Sequence, residues 1–482
     1  MSERASADRT SPARDFWTAQ AWIDGRWQHD VLLRVDDTGH WREVRPGVAA
    51  PPPDATVLAG PVLPGMIDAH SHAFQRAFAG LSERRADSAN GVDDFWSWRD
   101  RMYGVALRID ADQLRAVAAQ LYAELLQGGY TQVCEFHYLQ HAQDGKAYDD
   151  PATLSWALAD AAAEAGIGLT VLPVLYERAG FDAPALRHDQ RRFRSTPQSV
   201  HALYAAVQAA RRPLLNAGVA IHSIRAASAP SIEELLRHVG SEELPIHIHI
   251  GEQVREVEES IAVTGARPIE WLCREFALDR RWQLVHATHA TPDEIGGVAA
   301  RGAGIVVCPT TEANLGDGLA DLPRWLDAGV PLALGSDSQV SRHWVEEMRW
   351  LEYGQRLLQR QRNVSATAQQ SSTAGRLLER ILASEGRSAG FPQWGLVAGA
   401  RADALVVDVA APGVHGVPPS HVLDALVFAT DGQVFREVYV AGRQVVAEGC
   451  CIGRADIESR FGACMASLWS DAGSEFEART TS

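Results

Sequence analysis

Lysine is nearly absent from this chain of 482 residues: Lys146 is the only one, and the remaining basic residues besides histidine are arginine. It lies in the loop-like stretch Asp144-Gly145-Lys146-Ala147 and follows no apolar run, which excludes a lysine at the end of a core strand. Paired cysteines are also missing. Cys134, Cys273, Cys308, Cys450, Cys451 and Cys464 show no C-x-x-C spacing, so buried free thiols in a reducing compartment are expected, not disulfides or a thiolate zinc site. No apolar stretch approaches the roughly 20 residues that cross a bilayer, and Met1 to Arg14 is polar, without a signal-peptide core. A cytoplasmic address is the expectation. Positive charge is in deficit as well: a net charge of −16 argues against nucleic-acid and anionic-membrane partners. It would equally repel an acidic small molecule, which would need a local arginine cluster.

What is present is a repeat of short apolar runs leading into helical periodicity, between about residues 61 and 385. The runs are Val62–Ile67, Thr131–Phe136, Leu169–Leu175, Val219–Ile224, Pro245–Ile250, Gln283–His286, Gly304–Cys308 and Pro331–Ser336. Helical spacing over Gln113–Leu126 and Ser199–Leu215 separates two pairs of them. Ser231-x-x-Glu234 and Thr291-Pro292-Asp293-Glu294 mark helix starts, and Gly128-Gly129, Gly166, Gly218 and Gly302 mark stops. Eight strands alternating with helices predict an α/β fold, a (β/α)8 barrel whose chemistry gathers at the carboxyl ends of the strands. The flanks are β-rich, with a hairpin signal at Ile23-Asp24-Gly25 and turns at Asp431-Gly432 and Ala441-Gly442. Neither flank makes a stable sheet alone. The expected organisation is a tail over 1–15, a composite β-sandwich domain from 16–60 and 391–452, the barrel over 61–390, and a helix and polar tail over 453–482.

The strand ends are polar: His70 and His72, His137, Tyr176, Arg225, His249 with Glu252, His286, and Asp337. His70 and His72, two apart on a strand, point to one side of the sheet and can grip one divalent ion. His-x-His alone is a weak signal. With His249 and Asp337 at two further strand ends, a site of nitrogen and oxygen ligands with an open position for water is expected. Without a strand-end lysine to be carboxylated as a bridge, one metal is the simpler expectation, with a carboxylate bridge left open. His247 shares a face with His249 one layer deeper, where packing is the better reading than ligation. Bound metal lowers the pKa of water to about 7. Asp337 can then accept a proton, Glu252 can carry one to a leaving nitrogen, and His286 can polarise the group attacked; a core histidine is the alternative for His286. His289, in the following turn, reads as ordinary loop.

His70-x-His72, His249-x-x-Glu252, His286 and Asp337 together resemble the amidohydrolase superfamily, in its mononuclear deaminase branch. Five further stretches are similar to the formimidoylglutamate deiminases within it. They are His72-Ala73-Phe74-Gln75-Arg76, Phe95-Trp96-Ser97-Trp98-Arg99, Glu135-Phe136-His137-Tyr138, Pro309 to Gly316, and Ser336-Asp337-Ser338-Gln339. The resemblance implies hydrolysis of N-formimidoyl-L-glutamate to N-formyl-L-glutamate and ammonia, in histidine degradation. It implies one zinc ion per subunit, with another divalent ion such as iron open, and a homodimer. It also implies substrate contacts at Gln75, Arg99, Tyr138, His222 and Arg225. A substrate with two carboxylates suits the guanidinium forks of Arg99 and Arg225; for His222 and Arg225, which flank the end of the fourth strand, solvated surface charge is the alternative reading. The rival functions are a sister deaminase acting on guanine or cytosine, and a noncatalytic barrel scaffold.

Overall fold

The computed structural model describes residues 14–84 and 93–470. Most of the tails expected at 1–15 and beyond 470 lies outside the described residues; ordered strand begins at Asp15 and the last helix, Arg454–Trp469, ends just before Ser470.

Eight parallel strands form the centre: Met66–Ser71, Tyr130–His137, Gly168–Leu175, Val219–Ser223, Ile246–Ile250, Trp282–His286, Gly304–Val307 and Leu332–Leu334. They pair in chain order, with the short strand Leu215–Ala217 added beside Gly168–Leu175. All eight are buried along their whole length, apart from half-buried His222, as parallel strands covered on both faces must be. The ring closes between its last and first strands through a bridge of Ser71 with Asp337. There the Asp337 amide donates to the His70 carbonyl at 2.9 Å and the His72 amide donates to the Asp337 carbonyl at 3.2 Å. Gly335 permits this seam: a Cβ there would stand 2.7 Å from the His70 Cβ.

The apolar run expected to be one strand over Val62–Ile67 is divided between two sheets. Val62–Pro64 pairs antiparallel with Ala404–Val406 and meets Ala21 in parallel, while Met66–Ser71 enters the barrel. The break falls at Gly65, where a Cβ would overlap the Thr131 side chain at 2.3 Å. Val62–Pro64 thereby joins strands from both chain ends into one nine-stranded sheet. The N-terminal part contributes Asp15–Ile23, Arg26–Val35, Trp41–Arg45 and Thr56–Val57; the C-terminal part contributes Ala404–Val407, Phe435–Val440, Arg443–Ala447 and Cys450–Cys451. Its own apolar core contains Phe16, Val31, Leu33, Trp41, Val406 and Tyr439. The two flanks thus form a composite β-domain beside an α/β barrel.

The helices follow local chemistry. Ala111–Gln127 starts at a reciprocal Asp110–Gln113 capping box, and Pro292–Arg301 starts at the expected Thr291–Glu294 box. Two expected boundaries shift. The helix at Pro197–Ala209 stops well before Leu215, because Pro213 disfavours the helical region for Arg212 and the backbone already turns left-handed at Arg211, φ 47°. The next begins at Ala229, capped by Ser228 rather than Ser231, with Pro230 in its first turn. Among the described residues no helix is long and apolar enough to cross a membrane.

Candidate active site

The carboxyl ends of the barrel strands open into a pocket lined by His72, His249, Glu252, His286 and Asp337 on the barrel side. The helix Phe95–Ala106 covers it with Phe95, Trp98, Arg99, Met102 and Tyr103. Gln75, Tyr138, Tyr176, His222 and Arg225 complete the wall. All five residues expected to touch substrate therefore line one pocket with Glu252 and His286. His137 is buried but does not line the pocket. His247, one layer down, has its Nε2 2.8 Å from the Ser388 carbonyl, the packed role expected. Lys146 stands exposed in its loop, paired with Asp144 at 2.7 Å.

At the pocket floor His70 Nε2 and His249 Nε2 lie 3.0 Å apart. Asp337 Oδ1 is 3.5 Å from His70 Nε2 and 3.4 Å from His72 Nε2. Two groups with mutually close donor atoms, His70-His72-Asp337 and His70-His249-His286, share His70. The tautomers are set by the main chain. His72 Nδ1 is 3.0 Å from the Phe136 carbonyl and His249 Nδ1 is 3.0 Å from the His222 carbonyl. Each Nδ1 must carry the proton, which leaves both Nε2 lone pairs free to bind a cation. Burial, reinforced by neighbouring rings, holds His70 and His249 well below the ordinary imidazole range, and brings His72 down to about 3. Buried, neutral imidazoles converging with a carboxylate oxygen form a donor set that fits a divalent metal.

His286 is electrostatically different. Burial alone would lower it, but Glu252, the Glu312 hydrogen bond and Asp337 raise it to about 10. Its Nδ1 is 3.3 Å from Glu312 Oε1, and its Nε2 is 3.7 Å from both Glu252 Oε1 and Asp337 Oδ2. The three carboxylates thus favour the protonated ring at His286, the opposite direction to the other three histidines. Burial first, with Asp337 and Glu256 adding to it, pushes Glu252 up to about 7 against the pull of His286. A carboxyl so placed can hold or release a proton near neutrality. Both His286, at φ 69°, and Asp337, at φ 48°, adopt the left-handed backbone region. For side chains with a Cβ that is strain, held here by surrounding bonds: Gln339 Nε2 donates to the Asp337 carbonyl at 2.8 Å.

Residues outside the expected set build this floor. Glu135 accepts from the Ala73 amide at 2.6 Å and from Ser71 Oγ at 3.2 Å, fixing the turn that follows His72. Asp68 accepts from the Ser336 amide at 2.9 Å and its hydroxyl at 2.5 Å, pinning the strand end that presents Asp337. Glu312 also accepts from the Cys308 amide at 3.0 Å. For Asp68 and Glu135 the signal in sequence is a carboxylate interrupting an apolar strand, as in Ile67-Asp68-Ala69 and Cys134-Glu135-Phe136; Glu312, in the helix Pro309–Leu315, has no such mark.

Comparison with known proteins agrees with this geometry. A model of the amidohydrolase family matches residues 62–445. Over 438 residues the chain is 44% identical to a formimidoylglutamate deiminase of Pseudomonas aeruginosa, covering 90% of this chain and 95% of that protein. A 5-methylthioadenosine/S-adenosylhomocysteine deaminase of Haloarcula marismortui is 24% identical over 422 residues, 87% of this chain and 89% of the relative. Among solved structures, an amidohydrolase from Brucella melitensis superposes with a TM-score of 0.87 at 37% identity, covering 94% of this chain and 99% of that one. Barrel, donor cluster and family match converge, and the chain belongs to the amidohydrolase family.

Proposed function

We propose that this hydrolase acts on N-formimidoyl-L-glutamate, adding water across its terminal C–N bond to give N-formyl-L-glutamate and ammonia. One observation carries the reading. Arg99 and Arg225 share the pocket with Glu252 and His286, and the Nε of each is buried without a hydrogen-bond partner. Among the described residues, Arg225 pairs with no carboxylate and Arg99 only approaches Asp100, at 3.7 Å. Guanidiniums whose Nε is buried and unpartnered, facing a pocket, call for an anion from the ligand. The name of the 44%-identical relative supports the same substrate.

His70, His72, His249 and Asp337 would hold one divalent ion, with zinc proposed and iron as the other candidate, which acidifies water and polarises the carbon attacked. The chain's own groups do the rest. Asp337, beside His286, takes the proton of the attacking water. Glu252 delivers a proton to the nitrogen that departs as ammonia, and its position near neutrality suits both receipt and release. His286, kept cationic by Glu252, Glu312 and Asp337, supplies fixed positive charge beside the reacting carbon. Gln75 donates to Tyr138 Oη at 3.2 Å, which orients the phenol on the pocket wall toward substrate. Arg99 and Arg225 receive the two carboxylates. The proposal extends to a homodimer, which rests on the family resemblance, and to a cytoplasmic address, which rests on the unpaired cysteines and the lack of a long apolar run.

Ammonia release from formimidoylglutamate, guanine and cytosine by the zinc-loaded protein tests the reading. Turnover of formimidoylglutamate alone is the expected result. Preference for either ring, which would give the two arginines no anion, refutes it, and so does a preparation that binds no stoichiometric metal.

A further inference from the structure

Trp96 does not line the pocket, yet three guanidiniums gather on its indole. The Cζ of Arg99 lies 4.6 Å from the ring centroid, that of Arg225 5.3 Å, and that of Arg255 4.5 Å. These arginines come from three separate elements. Arg99 sits one turn along the same helix, Phe95–Ala106; Arg225 follows the barrel strand Val219–Ser223; Arg255 opens the helix Val254–Thr264. The indole therefore meets charged side chains from the covering helix and from both barrel-side elements. Its backbone is fixed at the helix start, where the Trp96 amide donates to Asp94 Oδ1 at 3.0 Å.

Like charges this close repel, and acid answers them from separate sides: Asp100 stands 3.7 Å from Arg99, Glu259 bonds Arg255 at 2.7 Å on the exposed side, and Arg225, with no carboxylate within ion-pair distance among the described residues, faces the site of Glu252. A π-face offsets part of that repulsion and restricts where each flat guanidinium can lie. We propose that Trp96 is a positioning residue for substrate selection. It holds Arg99 and Arg225 at the spacing that accepts a dicarboxylate, and Arg255 clamps the ring from outside. The proposal deepens the reading given under Proposed function and rests on it.

The test is binding of N-formyl-L-glutamate, and of its neutral diamide, to the zinc-loaded protein by calorimetry, alongside steady-state kinetics. Trp96→Leu is expected to weaken diacid binding about tenfold and raise KM similarly, with kcat within about twofold, while the diamide binds equally weakly to both proteins. Trp96→Phe, which keeps a ring, should lose no more than about threefold. Arg255→Ala, a surface change that does not threaten folding, should raise KM a few-fold. If the Leu and Ala variants bind the diacid like the parent, or lose kcat at constant KM, the proposal is overturned. If the parent itself binds no diacid, the substrate reading fails and takes this one with it.

Discussion

Glu252 and His286 show what burial does to single side chains. The same apolar surroundings that strip protons from His70, His72 and His249 raise Glu252 to about 7, and only three carboxylates around His286 reverse the direction there. Replacing Glu252 by Gln keeps the shape and removes the transferable proton. Turnover should fall by about 10²–10⁴-fold while bound metal, measured by elemental analysis, stays at parent level. Arg225→Ala should raise KM roughly 10- to 100-fold, the worth of a hydrogen bond to a charged partner, without a matching loss of kcat. The histidines, Glu252 and Asp337 were legible from the sequence because each ends an apolar run. Asp68, Glu135 and Glu312 were not singled out: their role is to hold main-chain amides, and that geometry has no fixed spacing along the chain.

At the level of strands and helices, the alternation of apolar run and amphipathic segment was legible because buried parallel strands are short and uninterrupted. The split at Gly65 was not, since an apolar run carries no mark of which sheet it joins. One contact between elements sets a pH dependence. Arg76, just past the first barrel strand, grips Glu124 of the helix Ala111–Gln127 at 2.7 and 2.8 Å, and Arg342 adds a third bond at 3.1 Å. Burial works to raise Glu124, but Arg76 and Arg342 together hold it below the usual carboxylate range. A depressed folded pKa means stability present above the unfolded value and lost as acid protonates the group. Glu124→Gln should therefore cost about 2–4 kcal/mol at pH 7. The gap from the parent should close as pH falls below the ordinary glutamate range, followed by urea denaturation at stepped pH.

Across the whole molecule, the composite sheet ties both chain ends to the barrel. Arg401 makes that tie: it bonds Asp403 at 2.6 Å, Gln132 Oε1 at 2.7 Å and the Thr131 carbonyl at 2.9 Å, all buried. Arg401→Met leaves Asp403 buried without its cation and is expected to cost roughly 3–5 kcal/mol, read as a shift in denaturant midpoint. A second change, Asp403→Leu, should restore part of the loss.

The barrel seam has a consequence of its own. His70 and His72 lie at the end of the first strand and Asp337 follows the last, joined by a few main-chain bonds and by the Asp68–Ser336 and Ser71–Gln339 side-chain bonds. A cation gripping both sides would act as a cross-link, fastening a loop that contains nearly the entire barrel and removing much of the disorder available to the open chain. Chelation should then loosen the fold globally, by about 4 kcal/mol when the ion was present at a thousand times its Kd. Amide hydrogens along Met66–Ser71 and Leu332–Leu334 should exchange sooner than those of the opposite strands; uniform exchange would mean the hoop stays shut without its rivet.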